Sequence, residues 1–231
     1  MDIHKDINLF KYAEHAQRLL CKEGIRFTPS GFPDLTHFSY QHSIPGDIEV
    51  WPYNKRNQAR NPSRTILTFF EADPYLYGYI NTLEKVAANL SLYYGVTGFD
   101  LSPCLDFSIE EQNAALLLNA MTNGLLLSHG IRVIPSLRIG NIETLSALKA
   151  YPNNVCYAFG CLGCNQKLQN LGRLLIELKL AMCEPSQILA YGTLSDKDRN
   201  IFKKWNIPVI TATDYQTMTR KRTLIRRQSH V

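Results

Sequence analysis

The chain has 231 residues, 45% of them apolar and 19% charged, with a formal net charge of +5. That balance predicts a packed globular core rather than a disordered chain, and no run approaches the roughly 20 apolar residues of a bilayer span. The charge is uneven: residues 220–231, RKRTLIRRQSHV, carry five Arg/Lys and no acid, so the rest of the chain is formally neutral.

The chain opens with MDIHKDINLFKYAEHAQRLL, whose charges run throughout, unlike a signal core. An amphipathic helix is predicted near 5–22. Short β-prone runs follow at GIRFTP (24–29) and DIEVWPY (47–53). The segment NKRNQARNPSR (54–64) holds Lys55, Arg56, Arg60 and Arg64 with no acid and no apolar period, so it is expected to be a loop. It is either a solvated connection or an anion-binding one.

From residue 65 a strand-helix alternation sets in. TILTFF (65–70) predicts a buried strand, and 75–95 has helical spacing. VTGFDLS (96–102) predicts a second strand, with a helix over 109–129 closed by Gly130. Four more strands are expected at IRVIPSL (131–137), NVCYAFG (154–160), QILAYG (187–192) and IPVITAT (207–213), separated by helices near 142–150, 165–183 and 195–205. Near-continuous apolar strands alternating with helices belong to a parallel sheet covered by its crossovers. The expected class is α/β with a mostly parallel sheet. It is either barrel-like, as an incomplete or irregular TIM-like barrel, or open and doubly wound. Residues 1–64 are expected to pack on a core spanning 65–215, leaving 216–231 as a basic tail.

In such folds ligands gather at the carboxyl ends of the strands, which directs attention to the polar residues there. Strand 65–70 leads into Glu71 and Asp73. Asp73 precedes Pro74, a pattern that an N-cap also explains, and Asp106 fits a turn into the next helix. Asp100 is different because it interrupts GFDLS itself, where a charge needs a partner or a ligand. Arg138, at the end of the following strand, is the candidate partner. Asp100 and Arg138 are the catalytic candidates. Glu71, Asp73, Gln112 and Tyr191 are binding candidates, with Gln112 also read as polar surface. Asp100, Glu71 and Asp73 together have the oxygen chemistry of a Mg²⁺ or Mn²⁺ site. Arg220, Lys221, Arg222, Arg226 and Arg227 in the tail are candidates for phosphate contact.

GCLGC (160–164) sets Cys161 and Cys164 in a Cys-x-x-Cys at a strand-helix junction. No second pair or nearby histidine completes a zinc set, so an incidental pair is the plainer reading. The six cysteines are expected to be reduced thiols, which with the charged N-terminus points to a cytoplasmic protein.

The order GFDLS, Asp106, Gln112, then HGIRVIPSLR (129–138), a strand ending at Gly160, and EPSQILAYG (184–192) resembles the phage- and mobile-element-associated family known as domain of unknown function 4417. TFFEADP (68–74) resembles its opening strand, and the likeness covers about residues 65–195. The family commonly has an aromatic after the IP strand where this chain has RIG, and lacks the Cys-x-x-Cys. The resemblance implies a bacterial virus or mobile element as context and no particular reaction. The expected function is a nucleic-acid-associated or host-factor-binding protein of counter-defence type. The alternative is a metal-assisted enzyme acting on a nucleotide or nucleic-acid phosphate.

Overall fold

The computed structural model describes residues 8–80, 82–161 and 169–220. Helix α1 (Leu9–Lys22) begins where the Asn8 side chain accepts from the Lys11 amide. Strand β1 (Glu49–Pro52) is the first of the sheet, so the N-terminal 64 residues contribute to the core as well as packing on it. Then come β2 (Thr65–Thr68), α2 (Asp73–Ile80), α3 (Leu83–Leu90), β3 (Gly95–Thr97) and α4 (Ile109–Ser128). The chain continues through β4 (Val133–Ile134), β5 (Cys156–Gly160), α5 (Gln169–Cys183), β6 (Gln187–Tyr191), α6 (Asp196–Lys204) and β7 (Val209–Ala212).

Every strand pair is parallel, in a four-stranded sheet ordered β1-β2-β3-β4 and a three-stranded sheet ordered β5-β6-β7. Just beyond β4 the two sheets meet. Ala158 donates to the Pro135 carbonyl (2.8 Å) and Leu137 to the Ala158 carbonyl (2.9 Å). The strands thus run in chain order from β1 to β7.

One face of the strands packs against the helices in a large apolar cluster. Among the described residues, the other face forms a cluster of its own with no helix residue in it. It includes Val50, Ile66, Ile134, Ala158, Leu189 and Ile210, from β1, β2, β4, β5, β6 and β7. Side chains from both ends of the order therefore share one interior, as in a curled sheet. The curl does not close into a barrel, because among the described residues β7 does not pair with β1. Side chains span that seam: the Trp51 and Tyr215 rings lie 5.9 Å apart.

Residues 41–44 strap the amino ends of β5 and β6. Cys156 donates to the Gln41 carbonyl, the Ser186 hydroxyl to the His42 carbonyl, and the Ile44 amide to Gln187 Oε1.

Several expected elements differ. Residues 24–29 form no sheet strand; Phe27 makes only an antiparallel bridge to Pro33. Residues 54–64 are ordered into two 3-10 turns, Tyr53–Gln58 and Pro62–Arg64. The expected helix over 75–95 divides, because the Thr82 amide and hydroxyl both turn back to the Tyr79 carbonyl (2.8 and 3.0 Å). Residues Ile142–Ala150 are 3-10 rather than α. The expected strand 96–102 ends at Thr97, after which the chain leaves the sheet for α4. That departure is tight: a Cβ on Gly98 would lie 2.9 Å from the Ser136 amide nitrogen, a backbone atom. Gly98→Ala is therefore expected to cost about 1–3 kcal/mol, seen as a lower denaturation midpoint with an unchanged slope.

Candidate functional site

The segment after β3 is held by the side chains of α4. Ser108 caps this helix in a reciprocal box with Glu111. Its stretch from Ala120 to Leu127 is buried on every side. Within it, Asn123 Oδ1 accepts from the Phe99 amide at 2.7 Å, and its Nδ2 donates to the Tyr151 hydroxyl at 2.7 Å. Asn119 Oδ1 accepts from the Leu101 amide at 2.8 Å, and its Nδ2 donates to the Leu101 carbonyl at 2.9 Å. Two amides one helical turn apart thus replace the ladder bonds that a neighbouring strand would supply. Gln112 lies seven residues before Asn119, on the same stripe. Its Nε2 donates to the Phe107 carbonyl (2.9 Å) and its Oε1 accepts from the Asn141 amide (2.6 Å). Gln112 is fully buried, which corrects its reading as polar surface.

Between the two clamped residues stands Asp100, 2% exposed. Arg138 Nε donates to its Oδ1 at 2.8 Å, and Nη2 reaches Oδ2 to complete a bidentate pair. Burial pushes the Asp100 pKa up, and the guanidinium opposes that shift. Lys179, part-buried on α5, donates to the Leu137 carbonyl at 3.1 Å and lies over the Phe159 ring. Burial, reinforced by the Arg138 charge, lowers its pKa to about 8.

The other candidates are engaged separately. Glu71 accepts from the Asn54 amide and the Tyr79 hydroxyl, both at 3.0 Å, and burial raises its pKa. Asp73 is the first residue of α2, and its Oδ1 accepts from the Ser102 amide and hydroxyl, so it ties two strand ends together. Asp106 is exposed, and the cap of α4 is Ser108 instead. Among the described residues no group of three or more His, Cys, Asp or Glu is placed to hold a metal ion. Asp100, Glu71 and Asp73 therefore do not assemble into the expected Mg²⁺ or Mn²⁺ ligand set.

Phe70 stacks on Tyr191 at 6.0 Å, and its ring lies 3.1 Å from where a Gly160 Cβ would be. The Tyr191 hydroxyl accepts from the Tyr215 amide at 3.2 Å, and burial pushes its pKa up to about 12. A cavity of about 20 Å³ lies beside Arg138, lined also by Asn119, Asn123, Ser136 and Tyr151. That is room for about one water-sized molecule. Cys161 is part-buried, and burial raises its thiol to about 12, opposite to a redox-active thiol. Cys164 lies outside the described residues.

The chain matches no family model, no curated protein and no solved structure. The resemblance to domain of unknown function 4417 thus rests on the quoted residues alone, of which the structure places Asp100, Gln112 and Arg138 around one strand end.

Sequence reasoning pairs Asp100 with Arg138 and passes over Asn119 and Asn123. The available signal is two amides four residues apart inside the apolar run AALLLNAMTNGLLL.

Of the basic candidates, Arg220 is exposed, and Lys221, Arg222, Arg226 and Arg227 lie outside the described residues. Asp214 caps the helical turn that leads to Arg220, accepting from the Thr217 amide at 2.9 Å. Tyr215 in that turn donates to Gln58 Oε1 at 3.2 Å and lies under Lys55 at 5.9 Å. The 3-10 turn Tyr53–Gln58 and the start of the basic C-terminal segment are therefore neighbours.

Removing the Arg138 guanidinium leaves Asp100 buried without its counter-ion. Arg138→Met is expected to cost about 3–5 kcal/mol near neutral pH. With its pKa raised further in the folded state than in the unfolded chain, Asp100 then binds its proton more tightly when folded. The variant's loss of stability relative to wild type should be smallest below about pH 4 and grow as pH rises. Urea denaturation of wild type and variant between acid and neutral pH measures this, and a pH-independent difference would refute it.

Proposed function

We propose that the chain is a nucleic-acid-associated protein that contacts the phosphate backbone through a basic edge at the β1–β7 seam. The observation that carries this reading is the contact of Tyr215 with Lys55 and Gln58. It brings the acid-free segment 54–64 beside the root of the acid-free segment 220–231, although the two are far apart in the chain. Arg60 and Arg220 are exposed there. Arg56 stacks on Tyr53 at 4.4 Å, and Arg64 pairs with Asp47, so Lys55, Arg60 and Arg220 are the cations assigned to phosphate. Clustered cations on one edge recognise phosphate charge without reading bases.

The phage or mobile-element context implied by the resemblance fits such a protein in a bacterial cytoplasm, and it fits a host-factor-binding role equally. No helix among the described residues is long and apolar enough to cross a membrane. A metal-assisted enzyme has less support, because the carboxylates are held apart by separate partners and the adjoining cavity admits about one water-sized molecule.

The test is fluorescence anisotropy of labelled duplex DNA and single-stranded RNA against the full chain across about 50–200 mM salt. Affinity should fall steeply with salt, with a log-log slope reduced by about 2 in the Lys55→Ala/Arg60→Ala double variant. Deleting residues 221–231 should remove most of the binding. A wild type that binds neither polymer at low salt would refute the proposal.

A further inference from the structure

A second surface lies on the mouth, beside the basic turn that follows β1, whose Asn54 amide donates to Glu71. Three segments leave the carboxyl ends of the adjacent strands β2, β3 and β4: residues 71–80, 101–112 and 139–148. Together they carry Glu71, Asp73, Asp106, Glu110, Glu111 and Glu143 and no Lys or Arg, in a chain whose net charge is +5. The same segments hold four of the large apolar side chains exposed to solvent: Tyr75 (56%), Leu105 (39%), Phe107 (46%) and Ile142 (50%). The segments that carry or adjoin them are fixed in place. Gln112 ties the Phe107 carbonyl to the Asn141 amide, next to Ile142. Asp73 ties the start of α2, which carries Tyr75, to Ser102.

The result is an apolar patch with an acidic border on a rigid base. The nearby cation, Arg138, is bound to Asp100 beneath it and is only 24% exposed. Such a border repels phosphate, so this surface is no extension of the nucleic-acid edge, and the inference does not depend on that reading. Exposed apolar groups inside a charged border mark protein interaction sites, and the sign of the border selects the partner by complementarity.

We infer that this surface docks a partner protein through a Lys/Arg-rich segment bearing two or three apolar anchors. The anchors seat against Tyr75, Phe107 and Ile142, and the basic residues face Asp106, Glu110 and Glu143. The anchors supply affinity, and the charge pairing supplies approach rate and discrimination.

The experiment uses the full chain and three labelled synthetic peptides of equal length. One alternates Arg with Leu and Trp, one has Glu for Arg, and one has Ser for the apolar residues. Only the first should bind appreciably. Asp106→Lys/Glu143→Lys and Phe107→Ser/Ile142→Ser change exposed side chains, and circular dichroism confirms that each variant is folded. Each double variant should weaken binding at least tenfold while leaving nucleic-acid retention by the basic edge unreduced. The proposal is overturned if the variants bind like wild type, or if the Ser-substituted peptide binds as well as the parent. It is also overturned if binding appears only after residues 221–231 are deleted, which would make the chain's own tail the occupant.

Discussion

The architecture around the mouth depends on one requirement: the backbone after β3 has left its sheet and must still find hydrogen-bond partners away from water. Asn119 and Asn123 meet it by acting as a strand made of side chains, pairing with Phe99 and Leu101. Because these residues on both sides are pinned, Asp100 has little freedom in where its carboxylate points, and Arg138 closes on it with two bonds. Lys179, the Leu137 carbonyl and the Tyr151 hydroxyl then pack around a pair whose position is already set. Buried amides are costly unless every donor and acceptor is used. Here the side-chain polar atoms buried in the described structure all have partners.

This arrangement bears on what the mouth can do. Beside the buried acid and its arginine there is room for about one water-sized molecule, and on the other face of the strands Phe70 stacks on Tyr191 where Gly160 makes room for the ring. The pair anchors the segments that follow β3 and β4. What those segments present outward is the acidic, apolar surface, next to the basic turn Tyr53–Gln58 that leaves the carboxyl end of β1.

Much of the fold was legible because β5, β6, α4 and α6 are long and strongly patterned, and the Ser108 and Ser195 caps sit where their sequences start. Asp100 stood out for a physical reason, as a charge inside an apolar strand. Asn119 and Asn123 did not, and Gln112, though a binding candidate, was also read as surface, because an amide in a helix reads as surface until its partners are known, and those partners lie in other segments. The approach of residues 54–58 to Tyr215 was equally hidden, since it follows from the curl that brings the first and last strands together. Nor does local pattern reveal that β3 stops at Thr97, because Gly98 to Ser102 is as apolar as a strand and differs only in what it pairs with.

The junction between the two sheets has a mechanical meaning. Within each sheet the strands are joined over runs of paired residues, but at the midline β4 and β5 meet through the two bonds around Ala158. Strand pairing is therefore thin along that line, between a β1–β4 block and a β5–β7 block whose side chains share one apolar core. The strap at residues 41–44 belongs to the first block by sequence and to the second by its bonds. It works as a rivet across the line, so the coherence of the whole sheet rests partly on a segment that contributes no strand to it.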